Sequence, residues 1–142
     1  MGVTGFSHVG LSVTDADRSL EFYTSALDFQ VGARHELGAD FKADNDDFPP
    51  LPLVCQFVTL DDLHIALLQY PEPEVPAGQR PVYRVGIVNI GLLVDAIEPV
   101  AKKIEAYGGQ LIRETLLESE QGTFLHCLDP DGARIELMCM RD

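Results

Sequence analysis

Two stretches of this chain occur twice. His8-Val9-Gly10-Leu11-Ser12-Val13 returns as Asn89-Ile90-Gly91-Leu92-Leu93-Val94, and His64-Ile65-Ala66-Leu67-Leu68 returns as Arg134-Ile135-Glu136-Leu137-Met138. Such a chain folds as two similar units, and each must bury an apolar face against something. The 142 residues suffice for one domain, or for two small modules sharing a core. The apolar frame repeats but the polar positions do not. His8 matches Asn89 and Ala66 matches Glu136, so each half keeps one good metal donor where the other has a poor one or none.

The elements follow the same order in both halves. Phe6–Val13 reads as a strand. Thr14 then caps a helix with Asp17 three positions on, and Ala16, Leu20, Tyr23 and Leu27 fall on one helical face. Gln30–Leu37 is a strand. Gly38–Pro52 is a proline-containing polar loop, read either as a lid with Phe41 and Phe48 or as an ordinary surface loop. Leu53–Leu60 and Leu63–Tyr70 form a hairpin around Asp61-Asp62. Four prolines crowd Pro71–Pro81 and mark a linker, taken as residues 71–86. In the second half Ile87–Val94 is a strand and Asp95 caps a helix with Glu98. Ile97, Val100, Ala101 and Ile104 form that helix's buried face, and Gly108-Gly109 ends it. Gln110–Leu117 is a strand. Gly122–Leu128 and Ala133–Met140 form a hairpin closed by Asp129-Pro130-Asp131-Gly132, where Pro fixes φ and Gly accepts a positive φ. The expectation is an α+β fold of two βαβββ modules, residues 1–70 and 87–142, whose curved mixed sheets enclose a shared cavity. Ile135 and Leu137 face a helix, so Glu136 between them points to the concave side and needs a partner, a metal or water.

The net charge of −13 disfavours nucleic acid, because an acidic surface repels phosphate. No apolar stretch approaches the roughly 18–20 residues a membrane span needs. The N-terminus lacks a basic segment followed by an apolar run, so no signal peptide is expected. Cys55, Cys127 and Cys139 lie in apolar stretches with no CxxC spacing. They are expected to be buried reduced thiols in a cytoplasmic protein.

At this point the chain resembles the vicinal oxygen chelate superfamily, also called the glyoxalase/bleomycin-resistance/dioxygenase family. The resemblance covers nearly the whole chain. It rests on His8 in Phe-Ser-His-Val-Gly-Leu-Ser-Val, Arg18-Ser-Leu-Glu-Phe-Tyr23, Leu27-Asp-Phe29, Gly108-Gly109, and Asp129-Pro-Asp-Gly-Ala-Arg-Ile-Glu136-Leu. It implies a metal site with one ligand near the start of each module's first strand and one on each module's last strand. His8 and Glu136 match two of these positions, while Ala66 and Asn89 replace the usual ligands. Asn offers only a neutral oxygen and Ala offers nothing. The possible cofactor is therefore a divalent metal on His8 and Glu136, with no cofactor certain. Without metal, Glu136 could orient His8 as a general base.

His64, Asn89 and His126 are the expected substrate-binding residues. The alternatives are an exposed hairpin-end histidine for His64 and a satisfied core histidine for His126. His35 is expected at the surface, and Arg34 and Arg134 beside local carboxylates. Gln69 is expected to point away from the Ala66 face. Two functions stand. One is an enzyme of lyase or isomerase type acting on a small organic molecule, with His8 and Glu136 as acid/base groups or partial metal ligands. The alternative is a non-catalytic binding or drug-sequestering protein, which would stack ligands on Phe and Tyr because the chain has no Trp. The family's habit implies a homodimer, with modules paired within or across chains.

Overall fold

Alternating aliphatic residues and two amphipathic segments build ten elements in a computed structural model that describes residues 2–38, 52–71 and 82–142. In chain order they are β1 Val9–Ser12, α1 Ala16–Ser25, β2 Gln30–Leu37, β3 Leu53–Leu60, β4 Leu63–Gln69, β5 Ile90–Leu93, α2 Ile97–Ala106, β6 Gln110–Glu118, β7 Gly122–Leu128 and β8 Arg134–Met140. The fold is α+β, with two four-stranded mixed sheets ordered β1-β4-β3-β2 and β5-β8-β7-β6. In each sheet the first strand runs parallel to the last and the other pairs are antiparallel. The two sheets are separate and do not close on one another. Residues 39–51 of the expected lid Gly38–Pro52 and residues 72–81 of the expected linker lie outside the described residues. Among the described residues no helix is long and apolar enough to cross a membrane.

Several element ends differ from expectation, for physical reasons. β1 is shorter than expected, its ladder with β4 starting at Val9 opposite Ile65. β5 likewise starts at Ile90, opposite Ile135. Asp15, not Thr14, caps α1: its carboxylate accepts from the backbone N–H of Asp17 at 3.0 Å and Arg18 at 3.2 Å. Ala96 holds the cap position of α2 and makes no side-chain cap bond, so Asp95 lies one residue too early. Gln69 does point away from the Ala66 face, and its Oε1 accepts from the first N–H of α1, at Ala16, at 2.7 Å.

Each helix covers one face of its sheet. Val58, Ile65 and Leu67 lie under α1, and Leu125, Ile135 and Leu137 under α2, all fully buried and part of one shared core. Burying each such side chain contributes about 1.5–3 kcal/mol. The two modules meet on this helical side. A Cβ at Gly109, after α2, would lie 2.9 Å from Phe22 Cε2 of α1. Beside it the Tyr23 hydroxyl donates to Asp129 Oδ2 at 2.8 Å. Asp131 Oδ1 accepts from Thr14 Oγ1 at 2.7 Å and Arg18 Nη2 at 2.8 Å. The opposite faces of both sheets carry the residues with chemistry.

Candidate functional site

Strand alternation sorts the side chains. On the first sheet, Ala66 is opposite Phe57, Leu68 opposite Cys55, and His64 opposite Thr59, all on the face away from α1. His8, just before β1, joins this face: its ring meets Phe57 edge-on at 5.4 Å, and its Nδ1 is 2.8 Å from Ser7 Oγ. His35, expected simply at the surface, is exposed but also reaches the Phe57 ring, at 6.2 Å. His64 is exposed at the start of the hairpin strand. Ala66 is buried at 1% exposure and brings no donor atom. This face therefore holds an aromatic ring flanked by two imidazoles.

The second sheet's open face holds a polar cluster. His126 is paired with Glu136, Leu128 with Arg134, and Gly91 with Glu136. Arg134 Nη1 lies 3.0 Å from His126 Nδ1. A guanidinium can only donate, so Nδ1 is the acceptor and Nε2 carries the proton. That N–H faces Glu136 Oε2 at 3.9 Å, while Asn89 Nδ2 donates to the same oxygen at 3.4 Å. The His126 backbone N–H donates to Thr115 Oγ1 at 2.9 Å, and Thr115 donates to the Ile112 carbonyl at 2.6 Å. The Glu136 and His126 side chains are about a quarter and a fifth exposed, so a small molecule can reach them.

The structure thus gathers Asn89, His126 and Glu136 with Arg134, and places His8 and His64 on the other sheet. Arg134, read from sequence as a partner of local carboxylates, donates to a histidine. Its place two residues before Glu136 on one strand was the available signal, because side chains at that spacing share a face. Arg34 pairs as expected, with Asp17 at 3.0 Å and Glu36 at 3.2 Å. The cysteines are unpaired thiols, one fully buried and two half-buried. Burial pushes the Cys127 thiol up to about 11.

A profile of the glyoxalase/bleomycin resistance protein/dioxygenase superfamily matches residues 5–137. The chain belongs to this superfamily. Its fold is similar to that of a glyoxalase family protein from Bacillus cereus, at 14% identity and a TM-score of 0.82, covering 97% of this chain and 95% of that one. It is also similar to the fosfomycin resistance protein FosX from Mesorhizobium loti, at 18% identity and a TM-score of 0.62, covering 99% of this chain and 94% of that one. Glyoxalase I from Zea mays aligns at 16% identity and a TM-score of 0.65 over 95% of this chain, which spans 44% of the maize protein. No curated protein is a sequence match.

A metal is what the glyoxalase superfamily implies for this region, and the donors within one chain do not fit it. Ala66 has no donor atom, and Asn89 turns its N–H, not its oxygen, toward Glu136. His126 has one ring nitrogen occupied by Arg134 and the other protonated. His8 belongs to the other sheet. Among the described residues no three His, Cys, Asp or Glu side chains form a group able to hold a metal ion.

Proposed function

We propose that this superfamily member is an enzyme of lyase or isomerase type that moves a proton on a small organic molecule, with Glu136 as the general base. The observation that carries this reading is the Arg134–His126–Glu136 alignment on an open sheet face. Glu136 offers a reachable carboxylate. His126 accepts from the guanidinium at Nδ1 and presents its Nε2–H beside the carboxylate. A substrate carbonyl oxygen accepting that N–H would bring its adjacent C–H to Glu136, and the enolate oxygen formed would keep the His126 N–H, whose ring Arg134 holds from its other nitrogen. Positioned acid/base groups of this kind contribute about 10²–10⁴-fold in rate.

The enzyme works as a homodimer in this reading. Residues 82–88 lead into β5, an edge strand, and carry three apolar side chains almost wholly in solvent: Tyr83 is 86%, Val85 100% and Ile87 89% exposed. Val3 and Phe6, leading into the edge strand β1, are exposed in the same way. Exposed apolar residues beside an open strand edge suit another chain's strand. A second copy would set the partner subunit's His8 against Glu136, completing the acid/base pair that one chain divides between its sheets.

The test is solvent exchange. The protein is incubated in D₂O with small 2-oxo and 2-hydroxy carbonyl compounds, and C–H loss is followed by proton NMR. Wild type is expected to exchange or convert at least one of them, and Glu136→Gln to lose about 10²–10⁴-fold of that rate. A compound that raises the melting temperature yet is recovered chemically unchanged would establish the sequestering alternative. The His8–Phe57–His35 surface favours that second reading, since its exposed rings can stack on a flat ligand.

A further inference from the structure

We propose that Tyr23 is a positioning residue for the Arg134–His126 pair, acting across the module junction through the Asp129–Ala133 turn. The proposal rests on the preceding reading only in taking that pair as part of the working site.

The connection runs through one carboxylate. Asp129 is 3% exposed, and its two oxygens do different things. Oδ2 accepts the Tyr23 hydroxyl from the first module at 2.8 Å. Oδ1 accepts the backbone N–H of Asp131 at 2.9 Å and of Ala133 at 2.8 Å. The turn is closed by Asp129 N–H to the Ala133 carbonyl at 2.8 Å and Gly132 N–H to the Asp129 carbonyl at 3.0 Å. The next residue is Arg134, the first of β8, whose guanidinium meets His126 Nδ1. Asp129 itself directly follows Leu128, the last residue of β7, the strand that carries His126. Both sides of the Arg134–His126 contact are thus anchored at the carboxylate that Tyr23 holds.

Tyr23 is a rigid anchor. It is fully buried, and its ring is fixed edge-on by Phe22 at 5.2 Å and Phe29 at 5.5 Å. Removing its hydroxyl leaves a buried carboxylate oxygen without its donor, and such an oxygen seeks another partner. The N–H groups of the same turn are the nearest replacements, and recruiting them would move Ala133 and Arg134. Asp131 steadies the outer side of the turn through Thr14 and Arg18, so a first-module helix grips the turn at two points.

The test reads the histidine directly and needs no substrate. Protein labelled with ¹⁵N-histidine is compared as wild type, Tyr23→Phe and Ile104→Val, the last a core change that removes none of the turn's hydrogen bonds. His126 is assigned by His126→Gln. Wild type is expected to show His126 as the Nε2–H tautomer. In Tyr23→Phe its Nδ1 and Nε2 resonances are expected to move toward the tautomer average, with Ile104→Val like wild type. Asp129→Asn, whose amide can still engage both Tyr23 and the turn, is expected to restore most of the wild-type pattern relative to Asp129→Ala. Should Tyr23→Phe fail to fold, Thr14→Val with Arg18→Ala loosens the same turn from its more exposed side and is expected to move the same resonances less far. Unchanged His126 resonances in the variant that folds, or equal movement in Ile104→Val, would overturn the proposal. Full turnover in Glu136→Gln would instead overturn the catalytic reading and leave this one standing.

Discussion

At the level of single residues, the polar groups divide between two tasks. Asp129 and Tyr23 hold the molecule together, and Glu136, His126 and Arg134 face outward. Burial, and then the charge of Asp129, hold the Tyr23 hydroxyl well above its ordinary value of 10.0. The sign of the consequence follows. Below 10 the phenol is neutral in both folded and unfolded chains, and its contribution is intact. Above 10 the unfolded chain ionises while the folded chain resists, so stability falls as pH rises. Tyr23→Phe is expected to remove that alkaline fall, read as urea midpoints on both sides of pH 10. At neutral pH the same variant is expected to cost about 1–3 kcal/mol, because it strands a buried acceptor. Asp129 itself is held above its usual range chiefly by burial, partly offset by the bonds from Tyr23, Ala133 and Asp131. The sequence marked Asp129 and Asp131 only as turn formers. Their partners Tyr23, Thr14 and Arg18 lie more than a hundred residues earlier, and no local pattern encodes a contact made across two modules.

At the level of elements, apolar periodicity was the reliable guide. All eight strands and both helices lie where alternation or helical spacing puts them, since each element must turn its apolar side to one core. The caps were less legible. Thr14 and Asp15 are both good capping residues, and the choice fell to Asp15 because Thr14 is drawn to Asp131. The junction also depends on one element end. At Gly109 a Cβ would approach Ile104 Cγ2 to 2.6 Å, the Leu128 carbonyl oxygen to 2.7 Å and Phe22 Cε2 to 2.9 Å. Two of these belong to α2 and β7, and the third to α1 of the other module. Gly109→Ala is therefore expected to destabilise the chain by about 1–3 kcal/mol, as overpacking does. Gly91, whose added Cβ would only touch Met138 Sδ at 3.6 Å, is the control position. Thermal unfolding of the two variants side by side checks this.

At the level of the whole molecule, the repeat foretold two alike modules, but the sheets expected to enclose a shared cavity stay separate and do not close on one another. Each half offers an apolar helix side and an open sheet side, and the expected cavity would have brought the open sides together. The helical side is used, and because β1 pairs with β4 and β8 with β5, His8 and Glu136, which the sequence pairs by motif position, stand on different sheets. The proposed second copy would reunite them. Ile87→Asp, placed in the exposed apolar run before β5, is expected to convert a dimer to a monomer in sedimentation analysis while the monomer keeps its circular dichroism. It is also expected to lose the proton-exchange activity with the dimer. A monomeric wild type of unchanged activity would refute the shared site.

The buried Tyr23–Asp129 bond also gives the junction an optical reporter. The chain has no Trp, so its ultraviolet emission comes from four tyrosines, of which Tyr83 is 86% exposed and Tyr23 wholly enclosed. A phenol donating to a carboxylate loses much of its excited state by transferring the proton, so Tyr23 is expected to emit weakly while its hydroxyl is held by Asp129. Its emission would brighten when the modules part, and the rise lost in Tyr23→Phe would time the separation of the two halves without any label.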